Sequence, residues 1–290
     1  MTKQDAINLL TQKDQLQLLS FYDTLTPEQQ ENLLAQIEGI DWSLLDVLKT
    51  HETVNARGTF APLSAMELSQ IDANRAHIEE VGLQAIREGK VAAVLLAGGQ
   101  GTRLGFDKPK GMYNIGVTRE LYIFECLINN VMEVVKKAGA WIPFYIMTSD
   151  KNYDDTTAFL KEKNYFGYNA EYIHFFKQEM APSVDYNGKL LMEAPDRLSL
   201  SPNGNGGWFS SLCRYGYDKQ MKEAGVEWLT AFAVDNVLQR INDPAFVGAV
   251  IDSGCDCGGM VVRKADPNER VGVLCTEDGK PSIVEYYEMT

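Results

Sequence analysis

Cysteine is scarce in this chain of 290 residues, and the few present form no pattern. The five, Cys126, Cys213, Cys255, Cys257 and Cys275, are an odd number without the spacing of a disulfide framework. Cys255-Asp-Cys257 fits neither a zinc knuckle nor a C-x-x-C redox pair. The expectation is reduced thiols in a cytoplasmic protein. Basic charge is also short: 27 Lys and Arg stand against 40 Asp and Glu, a net charge of −13. Nucleic acid needs a basic surface, so it is excluded as a partner. No apolar run approaches a membrane span, and the start, MTKQDAINLL, is polar and amphipathic rather than a secretory leader. Internal repeats and low-complexity segments are absent too. What is present is 45% hydrophobic content, enough for one large core or two modest ones.

The acidity is uneven. Residues 1–88 hold 6 Lys/Arg and 14 Asp/Glu, a net of −8, and the other 202 residues carry only −5. This first part reads as helical. Thr26-Pro27-Glu28-Gln29 is a capping box with proline at the first helical position, followed by Leu33, Leu34 and Ile37 and stopped by Gly39. Asp41–Lys49 suggests a short helix and Asn55–Pro62 a linker. Ser64-Ala-Met-Glu67 looks like a second capping box, opening a helix with Leu68, Ile71, Ile78, Val81 and Ala85 on one side and Gly89 at its end. That helix feeds directly into an apolar strand, so the region is expected to pack on a sheet. No chemical motif falls in it, which leaves a structural appendage or an oligomer surface.

From Lys90 the pattern becomes alternating strand and helix. Strands are expected at Val91–Leu96, Pro143–Thr148, Tyr172–Phe176, Trp228–Val234, Gly259–Arg263, Val271–Leu274 and Pro281–Tyr287. Helices are expected at Leu121–Ala138, Asp154–Lys163, Trp208–Ala224 and from Asp243-Pro244 to Asp252. The alternation predicts an α/β sandwich with a mainly parallel central sheet, preceded by the helical region at 1–88; residues 89–290 then form the α/β domain. Ligands of such sheets bind beyond the carboxyl ends of the strands.

At one such end lies the stretch that organises the chain, VAAVLLAGGQGTRLGFDKPKGMYNIGV, Val91 to Val117. Its apolar run suits a buried parallel strand. Gly98, Gly99, Gly101 and Gly105 follow, with Arg103 inside the turn and Lys108 and Lys110 just beyond. Glycines let backbone N–H groups approach a ligand with no Cβ in the way, and successive N–H groups make an anion-holding concavity. With Arg and Lys added, the stretch suits a polyphosphate. Gly99, Gly101 and Gly105 read G-x-G-x-x-x-G, which is not the dinucleotide fingerprint, and no Gly-Lys-Ser/Thr closes a P-loop. A nicotinamide dehydrogenase is weakened accordingly.

Taken whole, LLAGGQGTRLG followed by PKGMYNIG closely resembles the signature of the UDP-sugar pyrophosphorylases, nearest to the UDP-N-acetylhexosamine enzymes. The resemblance implies a Rossmann-like nucleotidyltransferase sandwich. It also implies that Leu96, Ala97, Gly98, Gly99 and Gly101 cradle a nucleotide, and that Arg103 and Lys110 are catalytic cations on its phosphates. Lys108 reads as a solvated loop charge, and Arg119 carries no assignment. In Phe176-Lys-Gln178-Glu-Met180, Gln178 occupies the place of the family's uracil-contacting Gln; a carboxamide both donates and accepts. In Ser201-Pro-Asn203-Gly204-Asn205-Gly206-Gly207, Gly204 matches a uridine contact and Asn205 a sugar contact. The family usually has Asp before the first glycine; Asn203 removes that charge. The loop lacks the Gly-His-Gly form typical of eukaryotic UDP-glucose enzymes, which tilts the resemblance toward an N-acetylhexosamine or broad-specificity enzyme. Asp235, in Ala233-Val234-Asp235-Asn236, is the implied Mg²⁺ ligand. Glu285 and Tyr286 look like the family's sugar-contacting strand. Thr148-Ser149 and Cys255–Gly259 also match the family pattern, with no role assigned.

The implied reaction joins UTP and a sugar 1-phosphate into a UDP-sugar and pyrophosphate. N-acetylglucosamine 1-phosphate is the first choice of sugar, with glucose or galactose 1-phosphate close behind. Family members continue well beyond residue 290, supplying a further sugar-binding Asn, a C-terminal Lys and the rest of the sheet. A non-catalytic module that binds UTP is therefore the alternative of another class.

Overall fold

The computed structural model describes residues 1–43, 45 and 57–288. By contacts they divide into two compact units. The first takes residues 1–63, 180–202 and 270–290; the second takes 64–179 and 203–269.

In the first unit, Thr2 and Thr26 cap helices α1 (Lys3–Gln12) and α2 (Pro27–Glu38). The Thr26 Oγ1 accepts from the Gln29 N–H, and Gln29 returns a bond to the Thr26 N–H, with Pro27 at the first position. The apolar faces meet in a core of Leu10, Leu18, Tyr22, Leu33 and Ile37, joined by Leu190 and Leu198. Two carboxamides clamp that distant segment edge-on. Gln15 donates to the Gly188 carbonyl at 2.8 Å and accepts from the Leu190 N–H at 2.9 Å, and Gln36 treats Asp196 and Leu198 the same way. The linker expected to end at Pro62 is instead a strand from Phe60, β1 (Phe60–Pro62); Asn55 and Ala56 lie outside the described residues, as does most of the helix expected at Asp41–Lys49.

The second unit carries a four-stranded parallel sheet built from β2 (Val91–Leu96), β3 (Phe144–Thr148), β4 (Ile173–Lys177) and a strand further on. Residues 180–202, for which no elements were expected, form four short strands of the first unit: β5 (Met180–Pro182), β6 (Met192–Ala194), β7 (Arg197–Leu198) and β8 (Leu200–Pro202). The last strand of the parallel sheet is β9 (Trp228–Ala233), and the order is β4-β3-β2-β9. The remaining strands, β10 (Val273–Glu277) and β11 (Lys280–Val284), pair antiparallel with each other, and β10 takes β1 on its other edge.

Side chains of β2 alternate, as the period of two requires. Val91, Ala93 and Leu95 enter one apolar layer, Ala92 and Val94 the other. The first layer is covered by α3 (Leu68–Arg87), α4 (Ile123–Ala138) and α5 (Tyr153–Glu162). The second is covered by α6 (Trp208–Arg214) and α7 (Tyr217–Glu223); α8 (Pro244–Asp252) returns to the first. This is the expected α/β sandwich with a parallel sheet.

Three local expectations fail for physical reasons. Helix α3 begins at Leu68 with Glu67 at its N-cap, because Gln70 reaches back to the Glu67 N–H at 2.8 Å; the Ser64 box does not form. The single helix expected at 208–224 breaks at Gly216, whose φ of 74° is left-handed. Gly259–Arg263 forms no strand. It lies exposed, Val262 at 94%, and Arg263 is fixed instead by both carboxylate oxygens of Glu67 at 2.8 Å.

Helices α3 and α8 meet through glycine. A Cβ on Gly82 would fall 1.9 Å from the Pro244 carbonyl oxygen, and one on Gly248 would fall 1.7 Å from that of Ile78. The obstacles are backbone, which cannot swing aside. Gly248→Ala is expected to lower unfolding stability by about 1–3 kcal/mol, the usual cost of overpacking, measured by urea denaturation.

Candidate active site

All four strands of the parallel sheet end on one side, at Leu96, Thr148, Lys177 and Ala233. The glycine-rich turn leaves from the middle of that row. It doubles back on itself: the Gly101 N–H donates to the Lys108 carbonyl at 2.9 Å and the Lys110 N–H to the Gly99 carbonyl at 3.3 Å. Gly105, with φ of 67°, makes the bend between them. This closure leaves three successive backbone donors, the N–H groups of Gly98, Gly99 and Gln100, without a hydrogen-bond partner among the described residues. Successive open N–H groups of this sort suit an anion, while the Gly101 N–H, expected among them, is taken by the Lys108 carbonyl. Buried within the same turn, the Gln100 Oε1 has no partner either.

Gln178 joins this turn directly. Its own N–H is held by the Thr148 carbonyl at 2.7 Å, and its side chain, only 6% exposed, lies over Gly98. A Cβ on Gly98 would sit 2.6 Å from the Gln178 Nε2, so glycine is required for the carboxamide to occupy this place. Among the described residues the carboxamide makes no hydrogen bond, which leaves its donor and acceptor open to a ligand.

The chain leaves this unit after Glu179 and returns at Asn203. The two ends touch: the Asn203 N–H donates to the Glu179 carbonyl at 2.9 Å. Gly204, with φ of 69°, opens a 3-10 turn over Gly204–Gly207 that runs into α6. Gly204 is half-buried and Asn205 exposed. Ser211, almost fully buried, ties the two segments together. Its hydroxyl donates to the Gly207 carbonyl at 2.7 Å and accepts from the Glu179 N–H at 2.9 Å.

Two of the predicted charges also come together. The Lys110 Nζ donates to the Asp235 Oδ1 in a short ion pair, with Lys110 21% exposed and Asp235 63%. Asp235 follows β9, where the Val234 N–H holds the Leu96 carbonyl at 3.2 Å and Asn130 caps the Val237 and Gln239 carbonyls at 3.1 Å. Arg103 is exposed on its 3-10 turn and has no partner among the described residues. Lys108, read as solvated, pairs with Asp155 at 3.1 Å on the surface, a contact worth about 0–1 kcal/mol. Arg119 pairs with Glu125 at 3.0 Å.

Glu285 and Tyr286 belong to the first unit and follow β11 rather than lying in it. The Glu285 N–H donates to the Glu288 carboxylate at 2.9 Å, and Tyr286 is exposed beside Tyr287. The strand expected to reach Tyr287 stops at Val284.

Sequence reasoning passed over Ser211 and Asn152. Asn152 is fully buried under the turn. It accepts from the Ser149 N–H at 2.7 Å and donates to the carbonyls of Ala97 at 3.0 Å and Gly99 at 3.4 Å. The one signal was its place three residues after the Thr148-Ser149 pair. The Thr148 hydroxyl donates to the Phe176 carbonyl at 3.0 Å, tying β3 to β4.

Residues 34–290 match the protein family described as UTP–glucose-1-phosphate uridylyltransferase. The chain belongs to that family. Within the family's reach it is 35% identical to the UDP-N-acetylhexosamine pyrophosphorylase-like protein 1 of Mus musculus, over 100% of this chain and 61% of that protein. It is also 35% identical to the UDP-N-acetylglucosamine pyrophosphorylase of Saccharomyces cerevisiae, over 99% of this chain and 64% of that one. The crystal structure of the Trypanosoma brucei uridine diphosphate N-acetylglucosamine pyrophosphorylase, solved with an inhibitor, superposes with a TM-score of 0.82 at 29% identity, covering 100% of this chain and 62% of that one. The chain thus spans about three-fifths of the length of the relatives it matches. No described helix is long and apolar enough to cross a membrane, and all five cysteines are free.

The contact between Gly98 and Gln178 is directly testable. A crystal structure of Gly98→Ala is expected to show the Gln178 carboxamide swung off the turn; an unmoved carboxamide would mean that the turn, not the side chain, gives way.

Proposed function

We propose that this chain is the nucleotide-binding and catalytic part of a uridylyltransferase that converts UTP and N-acetylglucosamine 1-phosphate into UDP-N-acetylglucosamine and pyrophosphate. The observation that carries the proposal is the convergence at one sheet edge of three open N–H donors, the Gln178 carboxamide and the Lys110–Asp235 pair. On this reading the N–H groups of Gly98, Gly99 and Gln100 hold phosphate oxygens, within the cradle of Leu96, Ala97 and Gly101. Gln178 pairs with the uracil edge. Gly204 lies against the uridine, and Asn205 takes sugar hydroxyls, with Glu285 and Tyr286 as further sugar contacts. Residues 89–290 carry this chemistry and residues 1–88 are accessory.

The sugar phosphate oxygen attacks the α-phosphorus of UTP in line; the new P–O bond forms as the bond to pyrophosphate breaks, and no covalent protein intermediate is required. Catalysis is then positioning and charge neutralisation. Arg103, with no competing partner among the described residues, is available to meet the leaving group. Lys110 does the same on exchanging Asp235 for phosphate. Asp235 is the residue that would hold Mg²⁺. Among the described residues no cluster of three or more metal-ligating side chains exists, and a lone strand-end carboxylate suits Mg²⁺, which takes one or two carboxylates and fills its shell with phosphate oxygens and water. Bound there, Mg²⁺ would supply Lewis-acid charge for the phosphate oxygens. The five free cysteines support a reducing, cytoplasmic setting.

The choice of sugar rests on the Gly204-Asn205-Gly206-Gly207 loop and on the names of the relatives; glucose 1-phosphate or a broad range of sugars is the second choice. The test is pyrophosphate release from the purified chain with UTP, Mg²⁺ and a panel of sugar 1-phosphates. Release with N-acetylglucosamine 1-phosphate above the others is expected. UTP binding without release would identify a nucleotide-binding module instead. Lys110→Ala should reduce kcat by about 10² or more, the scale of one lost electrostatic donor; a loss below about tenfold would remove Lys110 from the catalytic role.

A further inference from the structure

We infer that Asn152 is a positioning residue that aims the donors of the glycine-rich turn at the nucleotide's phosphates, an inference that rests on the uridylyltransferase reading. Glycines at 98, 99 and 101 free the turn to approach a ligand, and for the same reason give it little conformational preference of its own. Something else must fix its peptide planes. Asn152 holds two of them by their carbonyls, Ala97 at 3.0 Å and Gly99 at 3.4 Å, the second shared with the Lys110 N–H at 3.3 Å.

A trans peptide is planar, with its C=O and N–H pointing in opposite directions. Drawing the Ala97 oxygen toward Asn152 therefore turns the Gly98 N–H away from it. Drawing the Gly99 oxygen inward turns out the Gln100 N–H. These are the first and last of the three N–H groups that have no partner among the described residues. The buried carboxamide and the open donors are two sides of the same peptide planes.

The side-chain chemistry is specific. The site needs two donations and one acceptance, the acceptance being from the Ser149 N–H at 2.7 Å, and a carboxamide provides them from one rigid group. Aspartate has the same shape and still accepts from Ser149, but it sets a carboxylate oxygen against two carbonyl oxygens and turns both peptides. The base contact stands apart from this control, because the Gln178 backbone is held by Thr148 and not by Asn152.

The consequence separates phosphate from base. Calorimetric or NMR titrations of the full chain with UTP and with uridine are compared for the wild type, Asn152→Asp and Asn152→Ser. Serine is the milder change, too short to reach both carbonyls, and carries the comparison if the aspartate variant does not fold. UTP affinity is expected to fall by about tenfold or more, the scale of unmade buried hydrogen bonds, with uridine affinity within about twofold of wild type. An equal loss for both ligands would mark Asn152 as merely structural, and unchanged UTP affinity would also overturn the inference. Wild-type protein that bound no UTP would remove the uridylyltransferase reading itself, and the inference with it.

Discussion

Everything chemical in this chain depends on the hydrogen-bond ladders that β2 makes in parallel with β3 on one side and β9 on the other. Parallel pairing forces every strand to finish at the same edge, and each crossing back is made outside the sheet. Residues far apart in sequence, such as Gly98, Gln178 and Asp235, are thereby delivered to one place by register alone. Leu96 pairs with both Met147 and Ala233. The turn after it is therefore fixed at its root from both sides before any side chain of the site is considered.

The charges at that edge are arranged in two ways. Lys110 and Asp235 neutralise each other, so neither carries an open charge in the protein alone. Arg103, on an exposed turn, has no ion-pair partner among the described residues. The two cations thus stand in different electrostatic settings: Lys110 sits against a carboxylate, and Arg103 faces solvent. Screening weakens the arginine's field at a distance more than it weakens the pair at contact.

Long-period features were legible from the sequence. The α/β alternation, the strand at Val91–Leu96, the turn and the strand-end aspartate all follow from apolar runs and glycine spacing, and the family from the LLAGGQGTRLG string. What was not legible depends on partners distant in sequence. The strands at 180–202 are held by Gln15, in the turn after α1, and by Gln36 of α2, a clamp that no local pattern announces. Met260–Val262 is a strand by propensity, but no described strand pairs with it. Asn152 reads as an ordinary residue before a helix; only the fold brings it beneath the glycine turn.

The glycine contact between α3 and α8 has a consequence for how the protein comes into being. His77 on α3 and Asp252 at the end of α8 bond at 2.9 Å although 175 residues separate them. A ribosome adding about 5–20 residues each second needs roughly 9–35 s to pass from one to the other. Throughout that interval the apolar side of α3 has been made and its helical partner has not. Contacts of such sequence separation pay their loop-closure entropy late, which places the docking of α8 among the last events of assembly in this unit. Its two glycines then let the helices close without first sorting any side chains between them.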